Sequence, residues 1–163
     1  MKQRGFTLLE LLVVIVIAAI LVSVALPSFL STIQGRQSAS VVSAFEQDMA
    51  WARGQAISNL PSVSMTLNAN CSWTVNTGQG AQDVRHSMTT AQLQNNASGM
   101  SCSGVPPGGL VMTFDNLGMV SIPAGSTTNP NTIITVNSSA GGAPVSVQIF
   151  GSGMIVEDPQ NAS

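Results

Sequence analysis

Charge is what this sequence has least of. Lysine, arginine, aspartate and glutamate together supply 7% of its 163 residues, against roughly 25% in an average soluble protein. Tyrosine is missing altogether, histidine occurs once and cysteine twice. Five basic side chains face seven acidic ones, so there is no cationic surplus to hold nucleic acid by neutralising phosphates. A single histidine leaves little material for acid–base or histidine–metal chemistry. Charge-driven disorder is excluded as well, because 44% of the residues are hydrophobic and the mean hydropathy is +0.32. The length suits one modest core. Its surface must be covered by Ser, Thr, Asn, Gln and Gly.

The few charges are unevenly placed. Leu11 to Leu26 contains none, and twelve of these sixteen residues are Leu, Ile or Val. At roughly −0.3 to −0.6 kcal/mol each for membrane insertion, the twelve contribute about −4 to −7 kcal/mol. Counted from Phe6, the segment is 21 residues, about 31 Å as a helix, which matches a bilayer core. Lys2 and Arg4 precede it, so the positive-inside rule keeps the N-terminus cytoplasmic and exports the rest. Two alternatives are weaker. A cleaved secretory signal would have to use Ser23-Val24-Ala25 as its small-residue site, and a buried core helix would be neither so long nor so uniform.

Glu10 breaks the pattern, since a carboxylate at bilayer depth costs about 2.5–3.5 kcal/mol. It could snorkel to the interface, or it could pair with a cation. Cleavage between Gly5 and Phe6 would create one, a free ammonium on Phe6 four residues before Glu10. Within one helix these positions are neighbours. Between packed parallel helices, the ammonium of one subunit would instead meet the carboxylate of the next and fix an axial register.

Lys2-Gln3-Arg4-Gly5-Phe6-Thr7-Leu8-Leu9-Glu10, followed by the apolar run and Pro27, resembles the class III signal of type IV prepilins and type II secretion pseudopilins. The resemblance spans residues 1 to about 30. It implies cleavage after Gly5 by the prepilin peptidase, N-methylation of Phe6, and assembly into a filament, with Glu10 as the assembly carboxylate.

Past the apolar run, Pro27 predicts a kink or a locally opened turn. Val41, Phe45, Met49, Ala52 and Ala56 then recur at helical spacing as one apolar stripe. Glu46, Asp48 and Arg53 fall off that stripe and are predicted to face solvent. Asn59-Leu60-Pro61 should end the helix, which from Phe6 to Ser58 would measure roughly 80 Å. The remainder reads as β. Val63–Leu67 alternates apolar and polar residues, and Trp73–Val75 is a second short strand. Leu110–Phe114 and Met119–Ile122 flank the turn-forming Asp115-Asn116-Leu117-Gly118 and predict a hairpin. Ile133–Val136, Val145–Phe150 and Met154–Val156 complete the strands, the last two joined through Gly151-Ser152-Gly153. The polar stretches 76–109 and 123–131 are predicted to be surface loops.

A second resemblance lies in the exported part. Ala52-Arg53-Gly54-Gln55-Ala56-Ile57 is similar to a segment of GspH/FimT-type minor pseudopilins and minor pilins, with Gly54 and Gln55 in place of its Ser and Glu. The Val111–Val120 hairpin, with Phe114 and Gly118, is similar to that family's later strand–turn element. The basic C-terminal motif of its DNA-binding members is replaced by Gly151-Ser152-Gly153-Met154, then Glu157 and Asp158. Removal of Lys2 and Arg4 would leave three arginines against seven acids, which argues against DNA binding, a local patch at Arg85 and His86 aside.

Cys71 and Cys102 fall in the exported part, where oxidation is permitted. A disulfide between them would contribute roughly 3–4 kcal/mol by loop-closure entropy; separate thiols and a metal site assisted by His86 are the alternatives. No catalytic set assembles. Gly99-Met100-Ser101-Cys102-Ser103 falls one residue short of a nucleophile elbow, Gly78 and Gly80 lack the third glycine of a nucleotide fingerprint, and His86 reads as an exposed loop residue. Glu157-Asp158 could help bind a cation but reads as a solvated tail.

The expected fold is α+β, pilin-like, with a long N-terminal helix packed on a β-rich head. The expected organisation is a leader peptide at 1–5, a transmembrane and assembly half-helix at 6–27, an amphipathic half-helix at 28–60 and a periplasmic head at 61–163. The expected function is that of a non-enzymatic minor pseudopilin of type II secretion, GspH-like, anchored once in the bacterial inner membrane and needing no cofactor. Its expected partners are other pilin or pseudopilin subunits, the prepilin peptidase and the inner-membrane assembly platform. The alternatives are a FimT/FimU-like minor pilin, for pilus priming or DNA uptake, and a membrane-anchored periplasmic protein that does not assemble.

Overall fold

A computed structural model of the chain describes residues 8–58, 62–78, 81–122, 131–139 and 143–157. Its first element, α1, runs from Leu8 to Ile57 as one helix of 50 residues. The helix is unbroken across Pro27, so the expected opening of a turn does not occur. A proline deletes one N–H donor, and intact hydrogen bonds on either side carry a long helix past it. The helix also continues through Gly54, where a side chain would meet open space. The predicted terminator at 59–61 lies outside the described residues.

Among the described residues, nine strands and a short second helix follow. The first sheet holds β1 (Val63–Leu67), β2 (Trp73–Thr77), β3 (Ala81–Met88), β5 (Leu110–Phe114) and β6 (Val120–Ser121), in the order β3-β2-β1-β5-β6. The second holds β4 (Met100–Ser103), β7 (Asn131–Ser138), β8 (Val145–Phe150) and β9 (Ile155–Glu157), in the order β4-β7-β8-β9. Every pairing is antiparallel. Helix α2 (Thr90–Asn96) links β3 to β4. The chain is therefore α+β, a helix carrying a β-rich head.

The second half of α1 packs against both sheets, on β1, β2 and β5 of one and β7 and β8 of the other. The stripe read from sequence is what it buries: Val41, Phe45, Met49, Ala52 and Ala56 all lie in the core, joined by Val42. Period-two alternation supplies the other wall. Val63, Met65 and Leu67 of β1 and Leu110, Met112 and Phe114 of β5 all point inward. Trp73 of β2 is fully buried and meets Phe45 edge to face, with ring centroids 5.5 Å apart, the geometry that aromatic quadrupoles favour.

The two sheets are stitched together at two places. Cys71, in the β1–β2 turn, forms a disulfide with Cys102 of β4, and the Cys102 N–H donates to the Ala69 carbonyl at 2.7 Å. On the other side the Val120 N–H of β6 donates to the Gly151 carbonyl of the β8–β9 turn at 2.8 Å.

Several expectations need correction. The stretch 76–109 contains β3, α2 and β4 in place of one long surface loop. Of the stretch 123–131, residues 123–130 lie outside the described residues and Asn131 opens β7. The strand predicted at Met119–Ile122 is only Val120–Ser121. Asp115 shortens it: its Oδ1 accepts from the Leu117 N–H at 2.9 Å and the Met119 N–H at 2.7 Å, drawing Met119 into the turn. Gly118 occupies that turn at a φ of 75°, a conformation glycine adopts without cost.

Candidate functional site

Among the described residues, no head residue covers the side chains of α1 from Leu8 to Val22. Every described large hydrophobic from Leu8 to Val22 is exposed, between 46% for Val13 and 84% for Leu8. A helix that is apolar on all sides is ordinarily buried, in the core of a large protein or in a membrane. Its one charge is Glu10, exposed in the first turn, where the helix dipole favours a carboxylate. Gly5 and Phe6, on either side of the predicted cleavage point, lie outside the described residues, as does the side chain of Pro27. Among the described residues no helix is long and apolar enough to cross a membrane. The side chains described at this end stop at Ser23, while the apolar sequence continues to Leu26.

What fixes this helix to the head is polar as well as apolar. Asp48, predicted to face solvent, is turned into the head. Its Oδ2 accepts from the Trp73 indole N–H at 2.8 Å, and its Oδ1 lies 2.9 Å from His86 Nδ1. The indole is buried and needs an acceptor, which is why a helix residue next to the apolar stripe is drawn inward. His86 is likewise no free loop residue. Its ring stacks on Trp51 of α1, with centroids 3.9 Å apart and planes 11° from parallel. The clasp therefore joins α1 to β2 through Trp73 and to β3 through His86.

Strand β3 is shaped to deliver that histidine. Its pairing with β2 jumps from Val75↔Asp83 to Trp73↔Met88, so residues 84–87 form a bulge. Asp83 Oδ1 holds the bulge by accepting from the Arg85 N–H at 2.9 Å and the His86 N–H at 3.1 Å. Ser87 Oγ fills the gap in the ladder and accepts the Val75 N–H at 2.9 Å. With Nδ1 committed to Asp48, the imidazole has one ring nitrogen left. Among the described residues no group of three His, Cys, Asp or Glu side chains is placed to hold a metal ion.

A groove of about 390 Å³ runs along the opposite side of the head, between α1 and the β8–β9 hairpin. Glu46 and Arg53 of α1 line it, both half-buried rather than solvent-facing as predicted. Burial, and secondarily the charge of Glu157, raise the Glu46 carboxyl above the usual carboxylate range. Gly151-Ser152-Gly153 forms the predicted turn at one end. Ser101, in the near-elbow sequence, sits within strand β4 and not on a strand–helix turn.

Residues 1–26 match the family described as "Prokaryotic N-terminal methylation motif". The chain carries a type IV prepilin-like signal. Its boundaries take in Gly5, Phe6 and Glu10 and end with the apolar run. A signal of this kind suggests processing by a prepilin peptidase and assembly with other pilin-type subunits. No curated protein and no solved structure matches the chain.

The clasp residues were missed in the sequence because Asp48 and His86 lie 38 positions apart. Only the isolation of His86 and the presence of one acid beside the apolar stripe hinted at it. Helix α2 had a readable signal, the capping box in which Thr89 accepts from the Gln92 N–H and Gln92 Oε1 accepts from the Thr89 N–H at 2.9 Å.

Proposed function

We propose that this protein is a non-enzymatic minor subunit of a type II secretion pseudopilus, GspH-like in role. In this reading the first half of α1 anchors the precursor once in the bacterial inner membrane, with the head in the periplasm. After cleavage between Gly5 and Phe6, and methylation of Phe6, the same helix moves into the filament core. The organisation at 1–5, 6–27, 28–60 and 61–163 follows from that. The observation that carries the reading is the unpartnered apolar half of α1 behind a prepilin-like signal. A surface of that kind has to be covered, and bilayer and neighbouring helices are the two environments that cover it.

Glu10 is the assembly residue. In the filament its carboxylate neutralises the Phe6 ammonium of a neighbour, an interaction strong only when both are withdrawn from water. The disulfide-tied head supplies lateral contacts between subunits, and no cofactor is required.

Cross-linking of the tagged protein in cells, followed by mass spectrometry of the captured proteins, tests the assignment. Recovery of other minor pseudopilins and the secretion platform is the expected result. Recovery of a major pilin with pilus-assembly proteins would transfer the subunit to a FimT/FimU-like role in pilus priming or DNA uptake. Recovery of neither would leave a membrane-anchored periplasmic protein that does not assemble.

A further inference from the structure

Arg85 is the single lysine or arginine between residues 61 and 163, and it sits on the bulge of β3. Three side chains fix that bulge in place. Asp83 Oδ1 accepts from the Arg85 and His86 N–H groups, Ser87 Oγ accepts from the Val75 N–H, and Asp48 holds His86. Val84 on the bulge is 71% exposed, and Arg85 is exposed beside it. Among the described residues no ion pair reaches the Arg85 guanidinium. A second fixed turn carries the opposite charge. Asp115 commits Oδ1 to the Leu117 and Met119 N–H groups, stays exposed, and meets no cation among the described residues. Leu117, two positions on, is 70% exposed. Each turn thus sets one charge beside an uncovered apolar side chain, and the two signs are opposite.

The two turns lie on opposite flanks of α1. Strands β3 and β6 are the outermost strands of the first sheet, at its two edges, and the Asp115 turn leads into β6. The bulge meets α1 at Asp48 and Trp51, through His86. The Asp115 turn meets it at Arg53 and Ile57: a Cβ on Gly118 would fall 2.8 Å from Arg53 Nε and 2.9 Å from Ile57 Cδ1. The β8–β9 turn closes on the same arginine, since a Cβ on Gly153 would fall 3.3 Å from Arg53 Cδ. At 3.6 residues per turn, these two pairs of helix positions are about 170° apart around α1 and roughly 8 Å apart along it.

We infer that two copies of this chain pack side by side, their α1 helices parallel, with the Val84–Arg85 bulge of one against the Asp115–Leu117 turn of the other. Arg85 pairs with Asp115, and Val84 covers Leu117. Opposite charges on opposite flanks of one chain select a second copy as the occupant. Matching the levels of the two turns staggers the copies by roughly 8 Å. The contact joins two different surfaces, so each copy keeps one turn open for a third. The inference rests on the filament reading, or on the membrane anchoring that precedes assembly, for its parallel helices. That reading asks for a similar stagger at the other end, because the proposed pairing of Phe6 with Glu10 spans four positions, about 6 Å of helical rise. One exposed ion pair and one apolar contact fall far short of the roughly 800 Å² per partner that a free dimer needs. The contact therefore orders copies that are already aligned and does not dimerise the head by itself.

The test uses the full chain in cells, carried on two different tags, with the photo-cross-linker p-benzoylphenylalanine in place of Leu117. Irradiation should join the two tagged copies, and mass spectrometry should map the link to residues 82–88 of the second copy. Arg85→Glu should lower the yield about threefold, an exposed ion pair's worth. Arg85→Gln removes only the charge and provides the reading if the reversed variant does not fold. Arg85→Glu combined with Asp115→Asn and Asn116→Lys exchanges the two charges, leaves an acceptor at position 115, and should restore the yield. Links that land elsewhere on the second copy, links only to other proteins, no link, or a yield indifferent to Arg85 would overturn the proposal. No link in cells where other pseudopilins are still captured would leave the filament reading standing. A charge-dependent link in cells where none is captured would uphold the contact and count against that reading.

Discussion

The two halves of α1 differ in the pattern of their apolar residues and in what surrounds them. From Val41 to Ala56 the hydrophobics form a stripe, and the head buries it. From Leu8 to Val22 they cover every side of the helix, and all of them are exposed. A stripe needs one packing surface, which a single folded domain can provide, whereas a uniformly apolar cylinder needs an apolar environment all round. The protein is thus self-sufficient in one half of the helix and dependent on its surroundings in the other. Pattern and content both separate the halves: 14 of the 15 residues from Leu8 to Val22 are hydrophobic, against 9 of the 16 from Val41 to Ala56.

The contrast is broken most directly by truncating one residue from each half. Phe45→Ala removes a ring packed on Trp73 and should destabilise the head by about 3–5 kcal/mol, measured by thermal or denaturant unfolding of the full chain in micelles. Ile15→Ala should leave the same transition within about 0.5 kcal/mol of wild type. A large effect from Ile15 would mean that the first half of the helix is part of the head's cooperative unit, against the account.

Replacing both Cys71 and Cys102 by alanine should cost the head about 2–4 kcal/mol, read as a fall in its unfolding midpoint under oxidising conditions. The first half of α1 should keep its helicity by circular dichroism, because the disulfide stitches only the two sheets. Asp48→Ala comes next. It leaves the Trp73 indole N–H buried without an acceptor and frees His86, for about 1–3 kcal/mol. Loss of the Trp51–His86 stack should appear as a change in tryptophan emission.

The smallest effect is electrostatic. Burial and Glu157 raise the Glu46 carboxyl, so the folded state holds that proton more tightly than the unfolded chain does. The associated stability is present at low pH and is lost as the pH rises through the raised folded value. Glu46→Gln should therefore raise the midpoint slightly at neutral pH. The gain should shrink as the pH falls into the ordinary carboxylate range, where wild-type Glu46 is protonated too. A gain that is constant with pH would point to packing rather than charge.

How far the sequence could be read depended on whether the pattern was local. The stripe on α1 and the alternation of Val63, Met65 and Leu67 announce their buried faces because spacing within one element decides them. The Cys71–Cys102 pair was legible from number and compartment. Strand β3 was not, because Ala81–Met88 is an outer strand with a polar bulge and no alternation to find. Strand β4 is four residues long, and α2 buries only Leu93. The roles of Asp48, Arg53 and His86 were invisible for a different reason. Each is set by what the fold brings up from far along the chain: an indole, two glycine turns, an aspartate. The proposed processing site, at Gly5-Phe6 with Glu10, rests on the sequence alone.

The central claim is that the exposed half of α1 serves assembly, and that Glu10 does the aligning. Glu10→Val should be measured for membrane insertion and for incorporation into sheared or cross-linked filaments in the same cells. The account predicts full insertion, since a charge has been removed from an apolar helix, together with loss of incorporation. Normal incorporation of the variant would contradict it.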